Sequence, residues 1–210
     1  MDAVVRVSEI FLSLQGEGTR AGLPCAFVRL AGCNLRCRWC DTARAWDGGR
    51  EMPLADVLRA VTVLGRGRVE ITGGEPMLQP STPDLLARLC DAGFETLLET
   101  NGSVELSRVD GRVVKIVDVK CPSSGEAGSF LASNVERLSP RDEVKFVLAD
   151  RADFDYARGQ LALHAGLSRG AVIFSPVLDR LVPADLAAWI LDARLDVRLG
   201  VQLHKIIGVP

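Results

Sequence analysis

Short runs of apolar and β-branched residues recur along the chain, each bounded by turn residues, and this pattern predicts eight strands. Several runs lack a polar–apolar alternation, which is typical of strands that are covered on both faces. The predicted strands are Glu9–Leu14, Ala26–Leu30, Arg68–Thr72, Thr96–Glu99, Val113–Val119, Glu143–Leu148, Ala171–Phe174 and Val197–Val201.

Stretches with apolar residues at helical spacing lie between these strands. The stretch Thr82–Ala92 has Pro83 in its first turn and Gly93 just beyond its end, as helices often do. The other predicted helices are Pro53–Leu64, Asp153–Gly166 and Pro183–Arg194. Alternating strands and helices predict an α/β fold with a largely parallel sheet. Since the helices are too few for a complete eightfold barrel, we expect residues 1–210 to form one domain, a partial or shortened (β/α) barrel with mostly parallel strands.

Composition and charge exclude several classes of partner. Hydrophobic residues make up 48% of the 210 residues and charged residues 25%, which is ordinary globular composition. The formal net charge is −2 at pH 7, so no broad basic field is available to bind nucleic acid. No apolar run reaches the roughly 18 residues of a membrane span, and Met1–Arg6 lacks a signal-peptide pattern. We therefore expect a cytoplasmic protein that binds neither nucleic acid nor a membrane.

Three of the six cysteines stand close together, at Cys33, Cys37 and Cys40. In a reducing compartment, clustered cysteines bind metal or carry out redox chemistry more often than they form disulfides. Thiolates select zinc, Cu(I) or iron–sulfur clusters. The group directly follows a predicted strand, at the end where parallel sheets carry their chemistry. By contrast, Cys25 and Cys90 lie among apolar residues and are predicted to be buried in the core.

The cysteine group permits two kinds of metal site. A structural zinc site wants a fourth ligand, which would have to be Cys121, His164 or His204, and none of these stands at the usual spacing. The other possibility is a 4Fe-4S cluster with three protein ligands. One iron then stays open, as it does at a site that carries out chemistry.

Three motifs in order along the chain resemble those of the radical S-adenosylmethionine (SAM) superfamily. Cys33-x3-Cys37-x2-Cys40, with an aromatic residue before the last cysteine, resembles the cluster motif. The segments Thr72–Pro76 (TGGEP) and Glu99–Gly102 (ETNG), both at strand ends, resemble two further motifs. A glycine pair lets the backbone approach a ligand closely. The resemblance implies that three cysteines hold a 4Fe-4S cluster, that SAM chelates its open iron, and that a 5′-deoxyadenosyl radical abstracts hydrogen from the substrate.

The two ends of the chain narrow the resemblance. The segments Ser8–Gly18, Cys40–Thr42 and Val201–Pro210 are similar to the 7-carboxy-7-deazaguanine synthase family. That similarity implies a lyase that converts 6-carboxy-5,6,7,8-tetrahydropterin to 7-carboxy-7-deazaguanine with loss of ammonia. The product feeds 7-deazapurine pathways, including that of queuosine in tRNA. SAM acts as a regenerated cofactor in this family, and Mg²⁺ is required.

The resemblance also implies roles for individual residues, with no catalytic residue beyond the cofactors. The cluster ligands are Cys33, Cys37 and Cys40, and the Mg²⁺ ligand is Thr42. The SAM-binding residues are Gly74, Glu75, Glu99, Asn101, Asp118, Lys120, Ser175 and Pro176. The substrate-binding residues are Leu14, Gln15, Gly16, Arg29, Thr72, His204 and Pro210.

Residue chemistry agrees with several of these roles. The guanidinium fork of Arg29 suits the substrate carboxylate, the hydroxyl of Thr42 is a hard donor for Mg²⁺, and a carboxylate at Glu75 suits an ammonium group. Three positions depart from the family: many relatives carry Ser-Pro-Lys where this chain has Asp118-Val119-Lys120, so that only the lysine matches, and relatives often carry Gln where it has Ser175.

Partners follow from the same resemblance. They are a pterin-like small molecule, an electron donor such as flavodoxin or ferredoxin, and a second copy of the chain in a homodimer.

The apolar segment Ile206–Pro210 predicts a docked chain end, either a last strand against the sheet or a segment that reaches the substrate. Two other functions stay open: a glycyl-radical activating enzyme and a non-catalytic zinc-binding module.

Overall fold

The computed structural model describes residues 3–65 and 67–210, and these form a single mixed sheet with helices against it. The strands are β1 (Val4–Leu14), β2 (Pro24–Leu30), β3 (Arg50–Pro53), β4 (Arg68–Gly73), β5 (Glu95–Thr100), β6 (Val114–Asp118), β7 (Glu143–Leu148), β8 (Ala171–Pro176) and β9 (Arg198–Leu199). The helices are α1 (Leu54–Val63), α2 (Thr82–Asp91), α3 (Arg151–Leu163), α4 (Pro183–Asp192) and α5 (Leu203–Ile207).

The sheet runs in the order β3-β1-β2-β4-β5-β6-β7-β8-β9. From β2 to β9 every pair is parallel, whereas β1 pairs antiparallel with both β2 and β3. Because β3 and β9 do not pair with each other, the sheet stays open. The expected partial barrel with mostly parallel strands is confirmed. Among the described residues, no helix is long and apolar enough to cross a membrane.

Alternating strand residues divide between the hydrophobic core and a cavity. In β4, Val69 and Ile71 belong to the core, whereas Glu70 and Thr72 line the cavity. In β7, Val144 belongs to the core and Lys145 lines the cavity. Successive side chains of a strand point to opposite faces, so each strand supplies both layers. The helices α1, α2 and α4 bury leucines, valines and isoleucines in the core, and α3 buries Phe154 and Ala157.

The structure differs from the predicted elements at three short segments. The strand β3 was not predicted, since it combines Arg50 and Glu51 with Pro53 at the sheet edge. The chain end is the helix α5, so the alternative of a last strand over these residues is wrong. The predicted strand Val197–Val201 is reduced to the two residues of β9.

Candidate active site

A cavity of about 780 Å³ opens at the C-terminal ends of the parallel strands. This is the edge where open α/β sheets bind their ligands. Of the residues singled out by sequence, sixteen line it: Leu14, Gln15, Gly16, Arg29, Cys33, Cys37, Cys40, Thr42, Thr72, Gly74, Glu99, Asn101, Asp118, Lys120, His204 and Pro210. The other three, Glu75, Ser175 and Pro176, are buried outside its lining.

The loop after β2 brings three half-buried thiols to the cavity wall. Arg36 N donates to Glu126 Oε1 at 2.6 Å, and Arg38 N donates to Ser124 O at 3.0 Å. These bonds tie the loop to the segment after β6, so the loop wraps the mouth of the cavity. Both Cys33 and Cys37 are partly shielded from water, and this burial raises the pKa of their thiols.

The donor set fits an iron–sulfur cluster better than a zinc ion. Within the described ranges, no three Cys, His, Asp or Glu side chains converge closely enough to ligate one metal ion. A structural zinc site needs four such ligands about one ion, whereas a polynuclear cluster takes thiolates set farther apart around it. Cys25 and Cys121 lie in the interior away from the cavity, where burial raises their pKa strongly.

Two glycines, the last residue of β4 and the residue after it, allow the turn there to lie against the cysteine loop. A Cβ on Gly74 would stand 2.2 Å from Gly32 O, and one on Gly73 would stand 2.1 Å from Leu30 O. Gly73 also has a φ of +150°. Only glycine permits this approach. Glu75 N then donates to Gly32 O at 2.7 Å, which fixes the turn beside the loop.

Glu75 connects this turn to the end of β5 instead of facing the cavity. Its carboxylate accepts from Met77 N at 2.9 Å, from Thr100 Oγ1 at 2.8 Å and from Asn101 N at 2.7 Å. The side chain is fully buried, and this burial raises its pKa. Three protein donors thus hold the carboxylate, and its contact with an ammonium group of SAM stays a prediction.

The end of β8 is buried in a similar way. Ser175 is 1% exposed, and its Oγ lies 2.5 Å from where a Cβ on Gly200 would stand. The residues that reach the cavity wall from this strand are the next three along the chain, Val177, Leu178 and Asp179. Neither Ser175 nor Pro176 lines the cavity, and their predicted contacts with SAM stay predictions.

Near β1, the cavity is lined by two stacked aromatic rings and by a guanidinium that forms an ion pair. Phe11 and Phe27 stack with ring centroids 5.1 Å apart, and the Arg29 guanidinium lies 5.7 Å from the Phe11 centroid. Arg29 Nε donates to Glu9 Oε1 at 2.7 Å, and Arg44 reaches the same oxygen at 2.8 Å. Arg29 is thus largely buried, with an acidic partner that is one-third exposed.

The chain end closes one side of the cavity. Ser13 Oγ donates to Pro210 O at 2.7 Å, and Leu203 N donates to Gly16 O at 2.9 Å. The His204 ring lies so close to Gly16 that a Cβ there would stand 2.0 Å from its Nδ1. Gly16 therefore leaves room for the imidazole at the cavity wall.

The cysteine loop ends beside this chain end. Cys40 Sγ and Thr42 Oγ1 are 3.8 Å apart, and both line the cavity. Asp41 pairs with Lys205 of α5 at 2.9 Å. Thr42, at the end of the cysteine loop, therefore lies near the segment that carries His204.

The floor of the cavity holds ionisable and polar side chains that sequence reasoning missed. These are Glu17, Glu70, Lys145 and Gln202. Lys145 Nζ lies 2.7 Å from Glu17 Oε2 and 2.6 Å from Glu99 Oε1. The sequence does contain a signal for two of these residues. Glu70 and Lys145 each interrupt an apolar strand, as Arg29 does, and a charged residue in such a strand points to a polar cavity.

Protonation differs among these floor residues. Burial raises the pKa of Glu70 well above its ordinary value, and the nearby charge of Glu99 raises it further. Gln15 Nε2 donates to Glu70 Oε2, which ties this carboxyl to the turn after β1. Burial acts against the charge of Lys120 as well, but Asp118, 2.9 Å away, outweighs it and raises the pKa of this lysine.

Comparisons with known proteins agree with this arrangement. A family model described as the radical SAM superfamily matches residues 28–118. The chain is 46% identical to a 7-carboxy-7-deazaguanine synthase of Koribacter versatilis, over 98% of each sequence. It is 45% identical to one of Chlorobaculum tepidum, over all of this chain and 96% of that one. The crystal structure of QueE from Escherichia coli superposes with a TM-score of 0.81 at 26% identity, covering 96% of this chain and 95% of that one.

Proposed function

Because the chain belongs to the 7-carboxy-7-deazaguanine synthase family of radical SAM enzymes, we propose that it converts 6-carboxy-5,6,7,8-tetrahydropterin to 7-carboxy-7-deazaguanine with loss of ammonia. This lyase reaction is a step in 7-deazapurine biosynthesis, including that of queuosine. The observation that carries the proposal is the meeting of two residue sets in one cavity. The three cysteines and the residues assigned to the pterin line the same cavity.

Cys33, Cys37 and Cys40 would hold the 4Fe-4S cluster, with SAM beside it. When bound, these two cofactors supply a radical that abstracts a hydrogen atom from the substrate. Gly74, Asn101 and the pair Asp118–Lys120 offer the polar groups nearest the cysteine loop. Support for them as SAM contacts is their place on the cavity wall. We assign Glu75, Ser175 and Pro176 to the support of that wall, since all three are buried behind it.

The same cavity offers groups that match the substrate. The Arg29 guanidinium can bind the substrate carboxylate through two parallel hydrogen bonds, with the stacked rings of Phe11 and Phe27 beside it. Leu14, Gln15 and Gly16 line the cavity, and we assign them to the edge of the planar ring. Thr72, His204 and Pro210 enclose the remaining sides. These contacts orient the substrate and exclude water from the reacting carbon.

We further propose that Mg²⁺ binds at Thr42. A hydroxyl is a hard oxygen donor, and Mg²⁺ commonly takes few protein ligands while keeping water or substrate oxygens. Thr42 supports this by its position at the end of the cysteine loop, near the segment that carries His204. An electron donor such as flavodoxin or ferredoxin, a homodimer and a cytoplasmic location complete the proposal.

Anaerobic reconstitution tests the function. The chain is loaded with iron and sulfide, then assayed with SAM, a reductant, Mg²⁺ and the carboxylated tetrahydropterin, in the absence of any partner protein. We expect a brown protein with about four irons per chain, as a 4Fe-4S cluster requires, and formation of the deazaguanine. A colourless protein that retains zinc would contradict the proposal. So would SAM cleavage that requires a glycine-containing protein, which is the behaviour of a glycyl-radical activating enzyme.

A further inference from the structure

A buried lysine in the cavity floor has no role in the function proposed above. Lys145 lies in the middle of β7, between the core residues Val144 and Phe146, and only 4% of its side chain is exposed. Burial of an ammonium group is costly unless it is paired and hydrogen-bonded. Its retention here therefore requires strong local partners.

Three carboxylates from separate parts of the chain surround this ammonium. Lys145 Nζ lies 2.7 Å from Glu17 in the turn after β1, 2.6 Å from Glu99 in β5 and 3.5 Å from Asp118 in β6. Burial opposes the charged form, but the attraction of Glu17, Glu99 and Asp118 outweighs it and raises the pKa of Lys145 well above its ordinary value. The lysine is consequently a cation that cross-links three elements.

Two of these carboxylates are held at both oxygens. Lys145 occupies Oε2 of Glu17 and Oε1 of Glu99. The remaining Glu17 oxygen accepts from Gln202 Nε2 at 2.8 Å, and the remaining Glu99 oxygen accepts from Thr72 Oγ1 at 3.4 Å. Each carboxylate is therefore fixed in rotation between the lysine and a neutral donor that also lines the cavity.

The network continues from Gln202 into the chain end. Gln202 Oε1 accepts from Lys205 Nζ at 2.6 Å, and Lys205 pairs with Asp41 at 2.9 Å. Gln202 directly precedes α5, which carries His204 and leads to Pro210. The connection from Lys145 through Glu17 thus reaches the segment that closes one side of the cavity.

We propose that Lys145 is a positioning residue. It orients the carboxylates of Glu17 and Glu99 in the cavity floor and, through Glu17 and Gln202, holds residues 201–210 in place. Without its charge, these carboxylates repel one another, rotate away and release the chain end. This role for Lys145 rests on the proposed function only in the experiment that measures substrate kinetics. The hydrogen-exchange experiment does not depend on it.

The test compares two buried lysines. Lys145→Met removes the charge in the floor. Lys115→Met is the matched control, because Lys115 is 6% exposed, pairs with Asp142 at 2.9 Å and lies outside the cavity lining. On the cofactor-free chain, we expect backbone amides of residues 201–210 to exchange with deuterium faster in Lys145→Met only. In the reconstituted enzyme, we expect the KM for the pterin to rise about tenfold or more in that variant, with a smaller change in kcat.

Two further variants keep the test independent of folding. Gln202→Met leaves the ion pairs of Lys145 intact but cuts the connection to the chain end, so it should also speed exchange over residues 201–210. Lys145→Arg retains the charge and should restore part of the lost affinity for the substrate.

Two results would overturn the proposal. One is slow exchange and an ordinary KM in Lys145→Met. The other is an equal effect of Lys115→Met, which would indicate a general loss of stability. If the unmodified enzyme fails to turn over the pterin, the proposed function fails, but the exchange comparison still decides the role of Lys145.

Discussion

Glu70 and Lys145 are both buried in the cavity floor, and their surroundings favour the protonated form of each, which is neutral for Glu70 and charged for Lys145. Burial and the neighbouring Glu99 favour the neutral form of Glu70, and the attraction of Lys145 offsets only part of this effect. Lys145 is held charged by three carboxylates. The cavity floor therefore favours a neutral carboxyl at Glu70 beside a charged ammonium at Lys145.

A substitution at Glu70 measures this effect. A carboxyl whose pKa is raised in the folded state keeps a proton that the unfolded chain releases, so the free energy of unfolding falls as pH rises from the ordinary value of 4.5 toward the raised one. Glu70→Gln cannot titrate and should escape this fall. We expect its stability relative to the parent to increase by up to about 1.4 kcal/mol per pH unit over that interval, measured by urea unfolding of the cofactor-free chain.

The control for this prediction is Glu9→Gln. Burial acts to raise the pKa of Glu9, but Arg29 and Arg44 outweigh it and lower that pKa. The stability that this carboxylate contributes is therefore present above its ordinary pKa and lost in acid, so Glu9→Gln should be the less stable chain at neutral pH. Parallel pH dependences for the two variants would contradict the assigned protonation states.

The cysteines differ in whether they line the cavity or lie in the core. Cys33, Cys37 and Cys40 line the cavity, whereas Cys121 is 1% exposed in the core. We expect Ala at any of the first three positions to abolish most of the bound iron after anaerobic reconstitution, because the cluster loses one of its three protein ligands. Cys121→Ala should keep its iron and lose only some thermal stability. Equal iron loss in Cys121→Ala would refute the three-ligand site.

At the scale of elements, the turn after β4 is the point where sheet and cysteine loop meet. A methyl group on Gly74 would overlap the backbone of Gly32, and backbone cannot yield as a flexible side chain can. Gly74→Ala should therefore displace the cysteine loop and weaken both cluster loading and SAM binding. Gly111→Ala is the matched control, because a Cβ there has nothing within 4 Å.

Iron per chain and SAM affinity, measured by equilibrium dialysis, check this prediction. We expect both to fall in Gly74→Ala and to stay at parental values in Gly111→Ala. A Gly74→Ala enzyme with full iron and unchanged SAM affinity would mean that the loop adapts to the methyl group.

The elements differ in how far their sequences determine them. The strands β4 and β7 are predicted because their apolar residues must be buried whatever the fold around them. The strand β3 and the helix α5 are not, since each is short and takes its shape from the neighbours it contacts. Likewise, Cys33 and Arg29 are predicted from local pattern, whereas the contact of Lys145 with Glu17 depends on the pairing of strands far apart in sequence.

At the scale of the whole molecule, the sheet ends in two unpaired edges. The strands β3 and β9 have a neighbour on one side only, and such edges leave backbone groups available for another chain. Ile206 and Ile207 on α5 are 60% and 47% exposed. We expect a homodimer, visible by sedimentation equilibrium as a species of twice the chain mass at micromolar concentration. A single monomeric species across that range would contradict this expectation.

The hydrogen bond from Ser13 to Pro210 joins residues 197 positions apart. One wall of the cavity is therefore built from a segment near the start of the described chain and from its last residues. Such distant contacts form late in folding, and on the ribosome the N-terminal segments emerge first. A nascent chain can already present the cysteine loop while this wall is still missing. This wall can therefore form only after residue 210 has been synthesised, which is later than the synthesis of the cysteine loop.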